Sequence, residues 1–162
     1  MLPPQIRPHD ATRSAGSGEA RPSLIFVVVG AALIVAGGFV AAAGGEAPSK
    51  QLSWAAAYLV LVCGVAQLGL GGGRALMTPR QLNTKLIAWQ FITFNLGNAG
   101  VLVGTLVGVL SLLYVGSAFL LLALALFARA ARGTRERGWV FLYWAFILVL
   151  AVSVPVGAAL GH

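Results

Sequence analysis

Residues 86 to 128 form a stretch of about 43 residues that contains no charged side chain. A helix rises about 1.5 Å per residue and a bilayer core is about 30 Å thick, so one membrane helix needs only about 20 residues. The stretch is therefore too long for one membrane helix and has the right length for two. We expect a tight turn between them, around Gly108 to Ser111.

Other parts of the chain contain apolar runs of a similar length. Hydrophobic residues make up 59% of the sequence and charged residues only 9%, which is typical of a helical membrane protein. We therefore predict an all-α integral membrane protein, a five-helix transmembrane bundle within one domain at 23–162. The predicted helices cover about residues 23–43, 54–72, 86–107, 112–128 and 139–160.

The N-terminal segment differs from the rest of the chain. Residues 1–22 are rich in proline, glycine, serine and charge and have too few apolar side chains to form a core, so we expect a disordered tail. The first apolar run, 23–43, has a second interpretation as a secretory signal, because a basic tail precedes it and Ala41–Ala43 resembles a cleavage site. The run is longer than the apolar part of a typical signal, which favours an uncleaved helix.

The basic residues indicate an orientation. Five helices would place the tail and the loops 73–85 and 129–138 on one side of the membrane, and only Lys50 among the 11 lysines and arginines lies on the other. Because basic segments next to membrane helices stay in the cytoplasm, the N-terminus is expected inside and the C-terminus outside the cytoplasmic membrane. The net charge of +7 then reflects topology and contact with lipid headgroups, and no nucleic-acid partner is expected.

Several amide and hydroxyl side chains lie inside the predicted second and third helices. An unpaired amide in hydrocarbon costs several kcal/mol, so each should find a partner. One possibility is that Gln67 and the Asn pair bond to one another or to backbone between these two helices. The other is that the amides line a small polar cavity for a neutral ligand or face a partner protein. The candidate polar contacts are Gln67, Gln90, Asn95, Asn98 and Thr105.

Glycines recur every fourth residue in the third predicted helix. Gly100, Gly104 and Gly108 form a GxxxGxxxG pattern, and small residues at this spacing let membrane helices approach closely. The pattern predicts helix packing, either within this chain or against a partner subunit.

Three segments together resemble a known family. They are RQLNTKLIAWQFITFNLGNAGVLVGTLVG at 80–108, LYVGSAFLLLALALFARAAR at 113–132 and RGWVFLYWAFILVLAVSVPVG at 137–157. In helix order and texture, residues 54–160 resemble the first half of subunit I of heme-copper terminal oxidases and nitric oxide reductases. The resemblance implies a shared helix-packing scaffold. That family binds its hemes and copper through histidines in membrane helices, whereas His9 and His162 here are terminal, so no residue is assigned to heme, copper or catalysis.

The predicted spans contain no ionisable side chain apart from Cys63 and three tyrosines. Proton-coupled transport and intramembrane proteolysis usually depend on such groups, so both are disfavoured. We expect a non-enzymatic subunit or accessory protein of a larger respiratory or cell-envelope complex, without cofactor or metal, that contacts a membrane partner or self-associates. Two alternatives stay open: a small oligomeric carrier or channel for a neutral solute, and a redox protein that binds quinone or heme.

Overall fold

The structure, a computed structural model, describes residues 21–47, 49–76, 84–132 and 137–160. Residues 1–20 of the predicted disordered tail lie outside this range, and Arg21 and Pro22 belong to the first helix. All regular elements of the described residues are helical, in the order α1 (Arg21–Ala43), α2 (Lys50–Tyr58), a π-helical segment (Leu59–Val65), α3 (Ala66–Leu76), α4 (Thr84–Val107), α5 (Leu110–Ala131) and α6 (Arg137–Leu160).

Four helical stretches in the described residues are long and apolar enough to cross a membrane. They are Leu24–Ala43, Lys50–Gly73, Thr84–Val107 and Leu110–Ala131, and the second of them joins α2, the π segment and α3 into one rod. The prediction of an all-helical protein is confirmed, and these four helices have the length and apolar composition that crossing a membrane requires. In α6 the described apolar stretch, Gly138–Val154, is shorter.

The start of α2 lies four residues before the predicted start of the second helix. The helix begins at Lys50 because Ser49 caps it: the backbone is extended there and the hydroxyl accepts a hydrogen bond from the Leu52 N–H at 3.2 Å. Such a cap satisfies one of the free N–H groups of the first turn. The predicted helix begins at Trp54 because the residues before it are mostly polar. Hydrophobicity alone therefore does not predict the four additional residues at the start of the helix.

The turn between α4 and α5 lies at Gly108 and Val109, inside the region where it was expected. Gly108 has a positive φ of 73°, and the Val109 N–H donates to the Gly104 carbonyl at 2.9 Å. This is the Schellman arrangement that ends a helix at a left-handed residue, where glycine has no steric penalty. Apart from its chain neighbours, no described atom lies within 4 Å of where a Cβ on Gly108 would be, so Gly108 forms the turn and takes no part in the contact between α4 and α5.

The other two glycines of the pattern form the contact between α4 and α5. A Cβ on Gly100 would lie 2.8 Å from Gly116 Cα, and one on Gly104 would lie 2.6 Å from the Leu113 nitrogen. From the opposite side, a Cβ on Gly116 would lie 2.5 Å from the Val101 nitrogen. Backbones this close require glycine on both helices. Gly100 and Gly104 therefore pack within this chain.

Aromatic side chains join the antiparallel pair of helices α4 and α5 to the other helices. Phe26 of α1 meets Phe91 of α4 and Phe127 of α5 edge to face, with ring centroids 5.4 and 5.5 Å apart. In α6, Phe146 lies over Gly69 and Tyr143 over Gly73, where there is no side chain to displace them. The Tyr143 hydroxyl also donates to the Leu70 carbonyl at 3.3 Å. These contacts fix the first half of α6 against α3.

Candidate functional site

Gln67 of α3 is completely buried. Within the described part of the chain, neither its Nε2 nor its Oε1 has a hydrogen-bond partner. The expected bond between Gln67 and the Asn pair is therefore not formed. Asn95 and Asn98 instead donate to backbone carbonyls of their own helix, those of Phe91 and Phe94 respectively.

The polar link between the second and third predicted helices uses a different residue. The Tyr58 hydroxyl at the end of α2 donates to Oδ1 of Asn98 in α4 at 3.0 Å. Asn98 is 4% exposed, and its Nδ2 donates to the Phe94 carbonyl at 3.0 Å. Both amide atoms of Asn98 are therefore satisfied. Tyr58 was not predicted as a partner of the amides from sequence, although its phenol is a long side chain with a hydrogen-bond donor.

The remaining predicted polar residues have separate environments. Gln90 is completely buried and donates through Nε2 to the Leu126 carbonyl of α5 at 3.0 Å. Asn95 is half-buried and bonds to its own helix, and Thr105 donates to the Val101 carbonyl at 2.8 Å. The amides therefore pair separately and do not converge on one site.

A cavity of about 290 Å³ lies at the end of the bundle that contains the Gly108 turn. Side chains from α2, the π segment, α4, α5 and α6 line it, and Thr105 is the predicted polar residue among them. Its lining along α4 runs from Val101 to Gly108, which is about 10 Å at the rise of a helix. Trp54 and Tyr58 stack beside it, with ring centroids 5.1 Å apart.

The serine and threonine hydroxyl groups of this cavity share one property. Thr105, Ser117 and Ser153 donate their protons to carbonyls of their own helices, Val101, Leu113 and Leu150, at 2.8, 2.9 and 2.8 Å. Each oxygen keeps acceptor capacity. The cavity thus combines apolar walls with hydrogen-bond acceptors, and its described lining residues carry no charge.

A second concave surface lies between α1 and α2 on the outside of the bundle. This groove of about 380 Å³ is lined mainly by small side chains, among them Gly37, Gly38, Ala56 and Ala57. Gly38 and Ala57 are exposed, and no described atom lies within 4 Å of a Cβ placed on Gly38. We call it the α1–α2 groove.

No family model matches the chain, and no curated protein or solved structure matches it. The resemblance to subunit I of heme-copper oxidases and nitric oxide reductases therefore stays a prediction.

Proposed function

We propose that the chain is a multi-pass protein of the cytoplasmic membrane that acts as a non-enzymatic subunit or accessory protein of a larger membrane complex. In this proposal α6, at 24 residues, is the fifth span. The N-terminus is cytoplasmic and the C-terminus is outside, which follows from the basic residues of the tail and of the loops after α3 and α5.

The observation that carries the proposal is the α1–α2 groove. In membranes helices associate without a hydrophobic driving force, so they pack where small residues let backbones approach. The small residues of α4 are already used against α5, and Gly37 of the groove packs against Ala56 and Val60, whereas Gly38 and Ala57 are exposed. A transmembrane helix of a partner, or of a second copy, is the occupant that this surface fits.

The burial of the four spans also supports the α1–α2 groove as the contact site. Only 17% of the apolar window of α1 is buried, compared with 39–44% in the other three spans. Phe39, which follows the groove residue Gly38 in sequence, is 72% exposed. A helix in the groove would cover part of α1, the least buried of the four spans.

The test is purification in a mild detergent, followed by mass spectrometry, of the native chain and two double variants. Gly38→Leu with Ala57→Leu fills the groove, while Ala118→Leu with Ala125→Leu adds the same bulk to exposed positions of α5. We expect a stoichiometric membrane partner, or a defined oligomer, that is lost only in the groove variant.

A crosslink identifies the contact directly. With Cys63 replaced by Ala, an Ala57→Cys variant carrying a photoreactive maleimide should attach to the co-purified partner or to a second copy. Ala118→Cys should not. A monomer that binds nothing, or a partner that both double variants retain, would contradict the proposal.

A further inference from the structure

We propose that the cavity beside the Gly108 turn binds a neutral membrane amphiphile whose polar head group donates a hydrogen bond, that is, a lipid alcohol. The inference is independent of the α1–α2 groove, because the two surfaces share no lining residue. The cavity volume of about 290 Å³ is close to the lower end of the range of small-molecule sites, about 300–1,000 Å³. It suits a head group with the first part of an alkyl chain.

Apolar walls select an apolar ligand. Val62, Val101, Leu113 and Leu120 contribute hydrocarbon from three sides of the cavity. A ligand pocket of this kind is mainly apolar, with a few polar groups that set the orientation of the ligand. A fully polar solute would leave most of this wall in contact with polar atoms.

The serine and threonine hydroxyl oxygens of the cavity favour a ligand that donates a hydrogen bond. Since Thr105, Ser117 and Ser153 donate to their own helices, their oxygens present lone pairs to a ligand. An alcohol O–H can donate to such an oxygen, whereas an ether, an ester or a carboxylate can only add a second acceptor. An anionic head group would in addition lose its hydration without gaining a positive partner in the described lining.

The position of the cavity fits a lipid head group. Trp54 lies near the start of α2, 37% exposed, and stacks with Tyr58, as aromatic residues do at the level of the membrane interface. The cavity continues inward from this pair to Leu120 of α5. A lipid alcohol would hold its hydroxyl among the acceptors and its chain along the leucine and valine side chains.

Photolabelling of the full chain in lipid nanodiscs tests the proposal. The probe is a long-chain alcohol with a diazirine in its chain, and the competitors are 1-dodecanol and dodecyl methyl ether. We expect mass spectrometry to find the label on cavity residues such as Trp54 and Leu113. Dodecanol should displace it at about ten-fold lower concentration than the ether, the factor expected of one hydrogen bond.

Matched variants separate the hydroxyls from general packing. Thr105→Val combined with Ser117→Ala and Ser153→Ala should abolish the preference for the alcohol over the ether. Thr93→Val, which removes a hydroxyl bonded to its own helix outside the cavity, should retain it. Equal competition by both compounds in the native chain, or loss of the preference in Thr93→Val, would overturn the proposal.

A cavity-filling variant keeps the test decisive if the hydroxyl variant does not fold. Val62→Phe fills the cavity from the π segment without changing a hydroxyl. It should reduce the label on Leu113 at least about ten-fold and leave any label on lipid-exposed Leu148 unchanged. Unchanged labelling of Leu113, or a label spread evenly along exposed residues of α5 and α6, would refute a specific site.

Discussion

At the scale of single residues, Gln67 is the most unusual side chain of the described bundle. It is buried without a hydrogen-bond partner for either amide atom, and such an atom retains its full cost of desolvation. We expect Gln67→Met, which keeps the length of the side chain, to raise the free energy of unfolding by about 1–3 kcal/mol. Titration with sodium dodecyl sulfate in mixed micelles measures this change.

A decrease in stability in Gln67→Met would show that this amide has a partner in the membrane. Gln90→Met is the matched control, because Gln90 is equally buried but donates to the Leu126 carbonyl. That substitution should lower the free energy of unfolding, since it removes a hydrogen bond between α4 and α5.

Removal of the Tyr58–Asn98 hydrogen bond should have the opposite effect on stability from Gln67→Met. Asn98→Leu should lower the free energy of unfolding by about 1–3 kcal/mol, because the Tyr58 hydroxyl loses its acceptor. A double-mutant cycle with Tyr58→Phe should give a coupling energy of about 0.6 kcal/mol, the average for bonds between membrane helices, and at most about 1.7 kcal/mol. A coupling energy of zero would mean that the bond does not hold α2 against α4.

At the scale of elements, the contact between α4 and α5 depends on the glycines that they share. In Gly116→Ala the new methyl group would meet backbone atoms of Val101 and Gly100 at 2.5 and 2.7 Å, and backbone cannot move aside. We expect α4 and α5 to separate locally and the unfolding free energy to fall by about 1–3 kcal/mol. Gly72→Ala in α3, where no described atom lies within 4 Å of the new Cβ, should cost nothing by the same titration.

The elements also show what could be predicted from sequence. Runs of apolar residues give the positions of the helices, because length and hydrophobicity decide whether a segment can cross a bilayer. The turn at Gly108 follows from the length of the uncharged stretch 86–128, which fits two helices, and from the glycine near its middle. The π segment at Leu59–Val65 has no comparable signal, since it depends on how neighbouring helices pack. The lack of a partner for Gln67 and the bond from Tyr58 to Asn98 depend on contacts between residues distant in sequence, and they were not predictable for the same reason.

At the scale of the whole molecule, orientation decides which leaflet the cavity faces. The cavity lies at the end of the bundle with Trp54 and the Gly108 turn, and exposed Arg129 and Arg132 lie at the other end of α5. With the N-terminus inside, lipid alcohols would enter from the outer leaflet.

Labelling of whole cells with a membrane-impermeant maleimide measures this orientation. In a Cys63→Ala background, Ala47→Cys, in the exposed connection between α1 and α2, should react in intact cells. Arg132→Cys, exposed after α5, should react only after the membrane is permeabilised. The native chain is the control, because Cys63 is buried and should not react in either case. The reverse pattern would place the cavity in the inner leaflet, and labelling of each variant after permeabilisation distinguishes a failure of expression from an inverted topology.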